Sequence, residues 1–311
     1  MSTVENAGTP SHPAVHQMER GDKSSIPAHA IVVGLDHSPQ STAALEWATA
    51  EAVSRGLPLH LMHAVQPPLW PDSHGTSEFE SDPAGCVTEA LRALTDSGAG
   101  VAVTWSQPYG SALPALTWAS RFATLVVVGT RAHGPLQQVV TGSTAVELVA
   151  DARCPVVVVR TRPGGLRSGP VVVGLEDGTR DHDALQAAFR EAEAGDRSLV
   201  VVHATEYGFL ERGRIERIVA ATAQHHPAVG VEIHVTDGHP TELLVAHSER
   251  ASLLVLGSRG RHEVSGVVLG SVSQPVLRHA ACPVLVAREG TVRPRHTVTE
   301  AATTEGIADE Q

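Results

Sequence analysis

The sequence predicts an α/β protein built from two tandem, doubly wound, five-stranded parallel sheets. Three observations predict it. Short Val-rich runs recur without polar alternation, the mark of strands buried on both faces, as parallel sheets bury them. Ala/Leu segments with helical spacing lie between these runs. The whole pattern then occurs twice in the same order, in a chain of 311 residues, the length of two ordinary domains.

Four blocks carry the duplication. IVVGLD at 31–36 returns as VVVGLE at 171–176, and His63-Ala64 after an apolar run returns as His203-Ala204. LVVVGTR at 125–131 returns as LLVLGSR at 253–259, and RCPVVVV at 153–159 returns as ACPVLVA at 281–287. The offset is 140 for the first two blocks (36 to 176, 63 to 203) and 128 for the last two (129 to 257, 154 to 282). The first half therefore carries 12 extra residues, assigned to the Pro/Ser/Asp/Gly-rich segment Gln66 to Cys86, which reads as a surface loop.

In order, strands are expected at 30–35, 58–65, 100–105, 124–129 and 155–159, then at 170–175, 198–203, 229–236, 252–257 and 283–287. Helical spacing covers Thr42 to Arg55 and Ala112 to Phe122, and a helix is expected from about 272 to 280. Strand and helix in alternation imply right-handed crossovers, with a ligand crevice at the carboxyl ends of the strands where strand order reverses. The expected domains are 29–160 and 170–288, joined by a linker at 161–169 (TRPGGLRSG). The polar tails 1–28 and 289–311 read as disordered.

Composition narrows the function. Hydrophobic residues make up 42% and aromatics only 3%, so the cores must be aliphatic. A formal charge of −11 argues against nucleic acid or an anionic membrane as partner, since both want a basic face. It leaves a nucleotide open, because backbone N–H groups hold phosphate without net positive charge. Three cysteines, Cys86, Cys154 and Cys282, make no disulfide framework and fit a reducing compartment. No secretory signal and no apolar run of roughly 18 residues is visible, so the expected location is the cytoplasm.

The sharpest motif is Gly257-Ser258-Arg259-Gly260, then nine residues, then Gly270-Ser271-Val272-Ser273. It joins the end of an expected strand to the start of an expected helix. Glycines allow close backbone approach, and successive N–H groups make an anion nest. Serines at a helix start suit phosphate, although a plain N-cap after a Gly-rich turn accounts for them too. The first half carries Gly129-Thr130-Arg131-Ala132, nine residues, then Gly142-Ser143-Thr144. Here Ala132 replaces the second glycine, which costs about 1 kcal/mol if that position needs positive φ. Gly134 is placed to compensate by a shift of the loop.

With these residues in view, the chain resembles the universal stress protein family. The resemblance rests on G-x2-G-x9-G-S/T after the fourth strand, on VVVGL plus an acid, on His-Ala after the second strand, and on GSVS…LRHAACPVLV. It covers roughly 29–160 and 170–288. It implies a Rossmann-like fold of the adenine nucleotide alpha hydrolase type, ATP (with or without Mg) as ligand, and a regulatory role in stress response. It implies phosphate contacts at Gly257, Gly260, Gly270, Ser271, Val272 and Ser273, a nucleoside-end acid at Glu176, and backbone contact to adenine at Ala204. In the first half the same positions fall on Gly129, Gly142, Ser143, Thr144, Asp36 and Ala64. It also implies pairing through the last strands, so 155–159 and 283–287 form an internal pseudo-dimer, with a further homodimer and a protein partner left open.

The other conspicuous residues read plainly. Asp36 on its bare merits is a strand-end carboxylate capping the next helix. The 18 histidines show no paired-ligand spacing, so no bound metal is expected. His225-His226 reads as a surface pair, Cys154 and Cys282 as buried and inert, and Trp47 and Trp118 as packed on the sheets. Trp70 falls in the extra loop and reads as a surface aromatic. Asp181, His182 and Asp183 form no triad, because no activated nucleophile is near. Turnover would have to rest on Arg131 and Arg259, which weighs against an enzyme and leaves a slow ATPase or a ligand-free scaffold as alternatives.

Overall fold

The computed structural model describes residues 26–65, 85–130, 143–160, 168–176, 181–205, 208–258 and 269–288. Most of both tails, linker residues 161–167, and 66–84 of the extra loop with Trp70 lie outside these residues.

The described chain runs β1 (Ile31–Gly34), α1 (Pro39–Arg55), β2 (Leu59–Met62), α2 (Gly85–Asp96), β3 (Val103–Ser106), α3 (Ala112–Ala119), β4 (Leu125–Gly129), α4 (Ser143–Asp151) and β5 (Val156–Val159). The second half repeats it as β6 (Val171–Leu175), α5 (His182–Ala194), β7 (Leu199–Ala204), α6 (Gly208–Ala223), β8 (Val231–Thr236), α7 (Pro240–Ser248), β9 (Leu253–Gly257), α8 (Ser273–His279) and β10 (Val284–Ala287). Every expected strand is present, within three residues at its ends.

The two expected sheets are continuous. One ten-stranded sheet has the order β3-β2-β1-β4-β5-β10-β9-β6-β7-β8. All pairs are parallel except β5 with β10, which run antiparallel with Val157 opposite Leu285. That pair is the junction of the halves, at the strands from which an internal pseudo-dimer is expected. Because the junction is antiparallel, the carboxyl ends of the two halves point in opposite directions.

Each strand feeds two cores. Ile31 and Val33 face the layer of α1, α2, α5 and α6, while Val32 faces the layer of α3, α4, α7 and α8. At Gly34 and Gly174 a side chain would press on Leu116 and Leu244, so these glycines let α3 and α7 lie close on the sheet. Helix α1 starts because Ser38 caps it, accepting from the Ser41 N–H at 3.2 Å, with Pro39 in its first turn. It stops at Gly56, which takes the left-handed conformation (φ 62°).

Four expectations are corrected here. Ile26 already packs on the core, so order begins before residue 29. Gly169 is not linker filler: a Cβ there would lie 2.2 Å from the Arg250 carbonyl oxygen, so glycine is needed for close approach. Trp47 is buried against the sheet, but Trp118 is only half-buried and packs on exposed Phe122. His226 is not a surface residue: it is buried, stacks on Phe189 and meets Glu193 at 3.0 Å.

Candidate functional site

Strand order reverses between β1 and β4 in the first half and between β6 and β9 in the second. A crevice opens at such a point because the loops leaving the two central strands turn to opposite faces. The expected site residues fall on the carboxyl ends of these strands and of their neighbours β2 and β7. Asp36 follows β1, Ala64 follows β2, and Gly129 ends β4; Glu176 follows β6, Ala204 ends β7, and Gly257 ends β9.

In the second half the two pieces of the glycine motif come together. The Ser273 hydroxyl donates to the Gly257 carbonyl at 3.5 Å, tying the start of α8 to the end of β9. Ser271 is exposed, Gly270 and Val272 are half-buried, and Ser273 is buried. Val272 is the N-cap and supplies no side-chain acceptor to the first turn. Gly260 and Arg259 lie outside the described residues. The backbone N–H of Glu176 donates to the buried Asp181 carboxylate, which ties the start of α5 to the end of β6. Sequence reasoning gave Asp181 no such role.

In the first half Asp36 does that job itself. Its Oδ1 accepts from the Ser38 N–H at 3.0 Å and from the Ser38 hydroxyl. The bare reading of Asp36 as a helix cap is thus corrected by one step: Ser38 is the cap and Asp36 orients it. Gly129 sits directly on α1, and a Cβ there would lie 2.5 Å from the Gln40 backbone. Close packing alone therefore accounts for this glycine. Thr144 is half-buried in the first turn of α4; Gly142, Arg131, Ala132 and Gly134 lie outside the described residues.

The repeated histidine has a defined place. His63 and His203 each donate from Nδ1 to the carbonyl at the end of the neighbouring first strand, Leu35 and Leu175, at 2.9 Å in both halves. A carbonyl only accepts, so each ring has an N–H at Nδ1 and turns Nε2 away from the strand. Nε2 of His203 meets the Glu211 carboxylate on α6. His63 instead lies beside His37 and Cys86, with all three ligand atoms within 4.8 Å of one another. Sequence spacing gave no reason to group these three. Burial, then the neighbouring Asp36 and Glu89 carboxylates, pushes the Cys86 thiol up to about 11. Burial pushes Cys154 up to about 12, in keeping with an unreactive thiol.

Among the described residues no helix is long and apolar enough to cross a membrane. The family model described as the universal stress protein family matches residues 28–160 and 206–288. The chain is 32% identical over 286 residues to the universal stress protein Rv2623 of Mycobacterium tuberculosis, covering 83% of this chain and 96% of that one. It is 31% identical over 288 residues to the universal stress protein Rv2005c of the same species, covering 84% and 97%. A universal stress protein from Archaeoglobus fulgidus shares the fold, with a TM-score of 0.69 at 20% identity over 85% of this chain and all of that one. The chain belongs to the universal stress protein family.

Proposed function

We propose that the chain is an adenine-nucleotide-binding regulatory module of the stress response, with ATP and magnesium as its ligand. Family membership supports the stress-response role. The observation that carries the nucleotide is the convergence of Gly257 and Gly270–Ser273 at the reversal point between β6 and β9. Gly257, Gly260, Gly270, Ser271, Val272 and Ser273 would hold the phosphates. Glu176 and the backbone at Ala204 would meet the nucleoside end. The described residues fit such a group: Gly257, Gly270 and Ser271 are small, and the N-cap Val272 offers the first turn no acceptor of its own.

The second half is the working site in this reading. In the first half Ala132 stands where the motif of the second half has Gly260, and Asp36 holds the β1–α1 turn. Asp36, Ala64, Gly142, Ser143 and Thr144 would form a weaker copy. Occupancy would bias contacts with a protein partner.

Calorimetry on the intact chain tests this. The parent should bind ATP saturably, and Gly260→Val should weaken binding about tenfold or more, while Asp36→Ala should leave the tighter site in place. No saturable heat at millimolar ATP would overturn the proposal and favour a ligand-free scaffold. Light scattering across micromolar concentrations would show whether chains also pair with each other.

A further inference from the structure

We propose that His37, His63 and Cys86 form a binding site for a divalent d-block cation of the zinc class, at the carboxyl edge of β1 and β2. The fold builds this group from three separate segments. His37 lies in the turn between β1 and α1, His63 just beyond β2, and Cys86 in the first turn of α2. Strands β1 and β2 are paired in register, Gly34 opposite Met62, and the Leu35 N–H continues the ladder to the Met62 carbonyl at 2.8 Å. The two histidines therefore leave the sheet side by side. Their rings meet edge-on, with centroids 5.7 Å apart.

The hydrogen bond from His63 Nδ1 to the Leu35 carbonyl is the kind of outer contact that prepares a metal ligand. It fixes the ring and its tautomer, and it leaves the lone pair of Nε2 as the donor. The tandem copy serves as an internal comparison. His203 makes the same bond to Leu175, but there Nε2 is taken up by the Glu211 carboxylate. In the first half α2 presents Cys86 in place of a carboxylate, and the preceding turn presents His37. Among the described residues this is the only group of three such ligands.

Two imidazoles and a thiolate are soft to borderline donors, which select zinc-class ions over magnesium or calcium. Bond lengths of about 2.0–2.3 Å around a tetrahedral ion require ligand atoms roughly 3.3–3.7 Å apart. The present limit of 4.8 Å thus calls for closure of about 1 Å. Exposed His37 can supply that by rotation, while buried Cys86 and strand-anchored His63 hold still. The Cys86 thiol gives its proton to solvent as the metal–sulfur bond forms. This site goes beyond the nucleotide reading and does not rest on it.

The test uses the reduced, chelator-treated full chain without nucleotide, so its outcome is separate from that of the ATP titration. Zinc chloride should bind at one equivalent per chain by calorimetry. Cobalt chloride should give a thiolate-to-cobalt charge-transfer band in the near ultraviolet on the parent protein itself, which needs no variant to fold. Cys86→Ser should remove that band, and Cys86→Ser or His63→Ala should weaken zinc at least tenfold. His279→Ala, an exposed histidine outside the group, should change neither. Absence of stoichiometric zinc binding, a cobalt spectrum without the sulfur band, or equal zinc affinity in Cys86→Ser would each overturn the proposal.

Discussion

His60 is fully buried on β2, with Nδ1 2.8 Å from the Thr104 hydroxyl and Nε2 2.9 Å from the Ser106 hydroxyl. Both partners are neutral, so nothing compensates an imidazolium, and burial lowers its pKa from 6.5 to about 4. The unfolded chain therefore binds the proton first. Stability from this group is complete above 6.5 and is lost as pH falls toward 4, by up to about 3 kcal/mol. Glycines divide at this scale too. Gly129→Ala should destabilise by about 1–3 kcal/mol, because the new Cβ meets the α1 backbone rather than a movable side chain. Gly213→Ala, on an exposed position of α6 with nothing within 4 Å, should instead stabilise by about 0.5–1 kcal/mol. Urea midpoints of the two variants check both signs. A neutral Gly129→Ala would mean that α1 is free to move away from the loop.

At the scale of elements, two helices end on arginines from the opposite half. Arg288, just beyond β10, donates to the Ala150 and Ala152 carbonyls at the end of α4, the latter at 2.6 Å. Arg160, just beyond β5, donates to the Leu277 and Arg278 carbonyls at the end of α8. Terminal carbonyls carry the negative end of the helix dipole, and a half-buried guanidinium satisfies two of them at once. Arg288→Met should keep much of the stem's packing and leave two carbonyls of α4 without that donor. The expected loss is about 1.5–3 kcal/mol, read as a lower urea midpoint. An unchanged midpoint would show that water replaces the arginine without cost.

At the scale of the molecule, α1 and α5 are bridged by Arg55, which binds Glu51 on its own helix and Glu191 across the pseudo-twofold. One guanidinium thus serves two carboxylates in a poorly solvated cleft. Burial first, and Glu191 second, raise the Glu51 carboxyl from 4.5 to about 7, against the pull of Arg55. The folded state here holds the proton more tightly than the unfolded chain. Stability from Glu51 is therefore complete below 4.5 and is lost as pH rises through 7. Its slope opposes that of His60 over the shared range. The parent should consequently show a shallow pH profile from about 4.5 to 6.5, each group masking the other. Glu51→Gln should expose a steep loss toward acid, and His60→Gln a loss toward neutral pH. Urea unfolding at pH 5, 6 and 7.5 measures this, and parallel profiles for both variants would contradict it.

The repeat, the strands and the helical layers on either side of them are legible in the residue pattern. Uninterrupted runs such as Val156–Val159 can be satisfied only by burial on both faces, and that demand is local to the run. The pattern also shows the glycine motif and the paired histidines, because residue type and order are all they need. The family resemblance implied pairing through the last strands, but the merging of two sheets into one and the antiparallel register of Val157 with Leu285 are properties of the assembled sheet. Tertiary structure alone decided which side chains meet. His37, His63 and Cys86 are scattered in the chain and adjacent only because β1, β2 and α2 converge at one strand edge. Asp181 reaches the Glu176 N–H, and Arg55 reaches Glu191, across segments whose spacing carries no periodic signal. Gly129 is a glycine because a helix backbone lies where its side chain would be, a fact about another element's position. Periodicity reports what each residue faces, and only packing in three dimensions reports whom it faces.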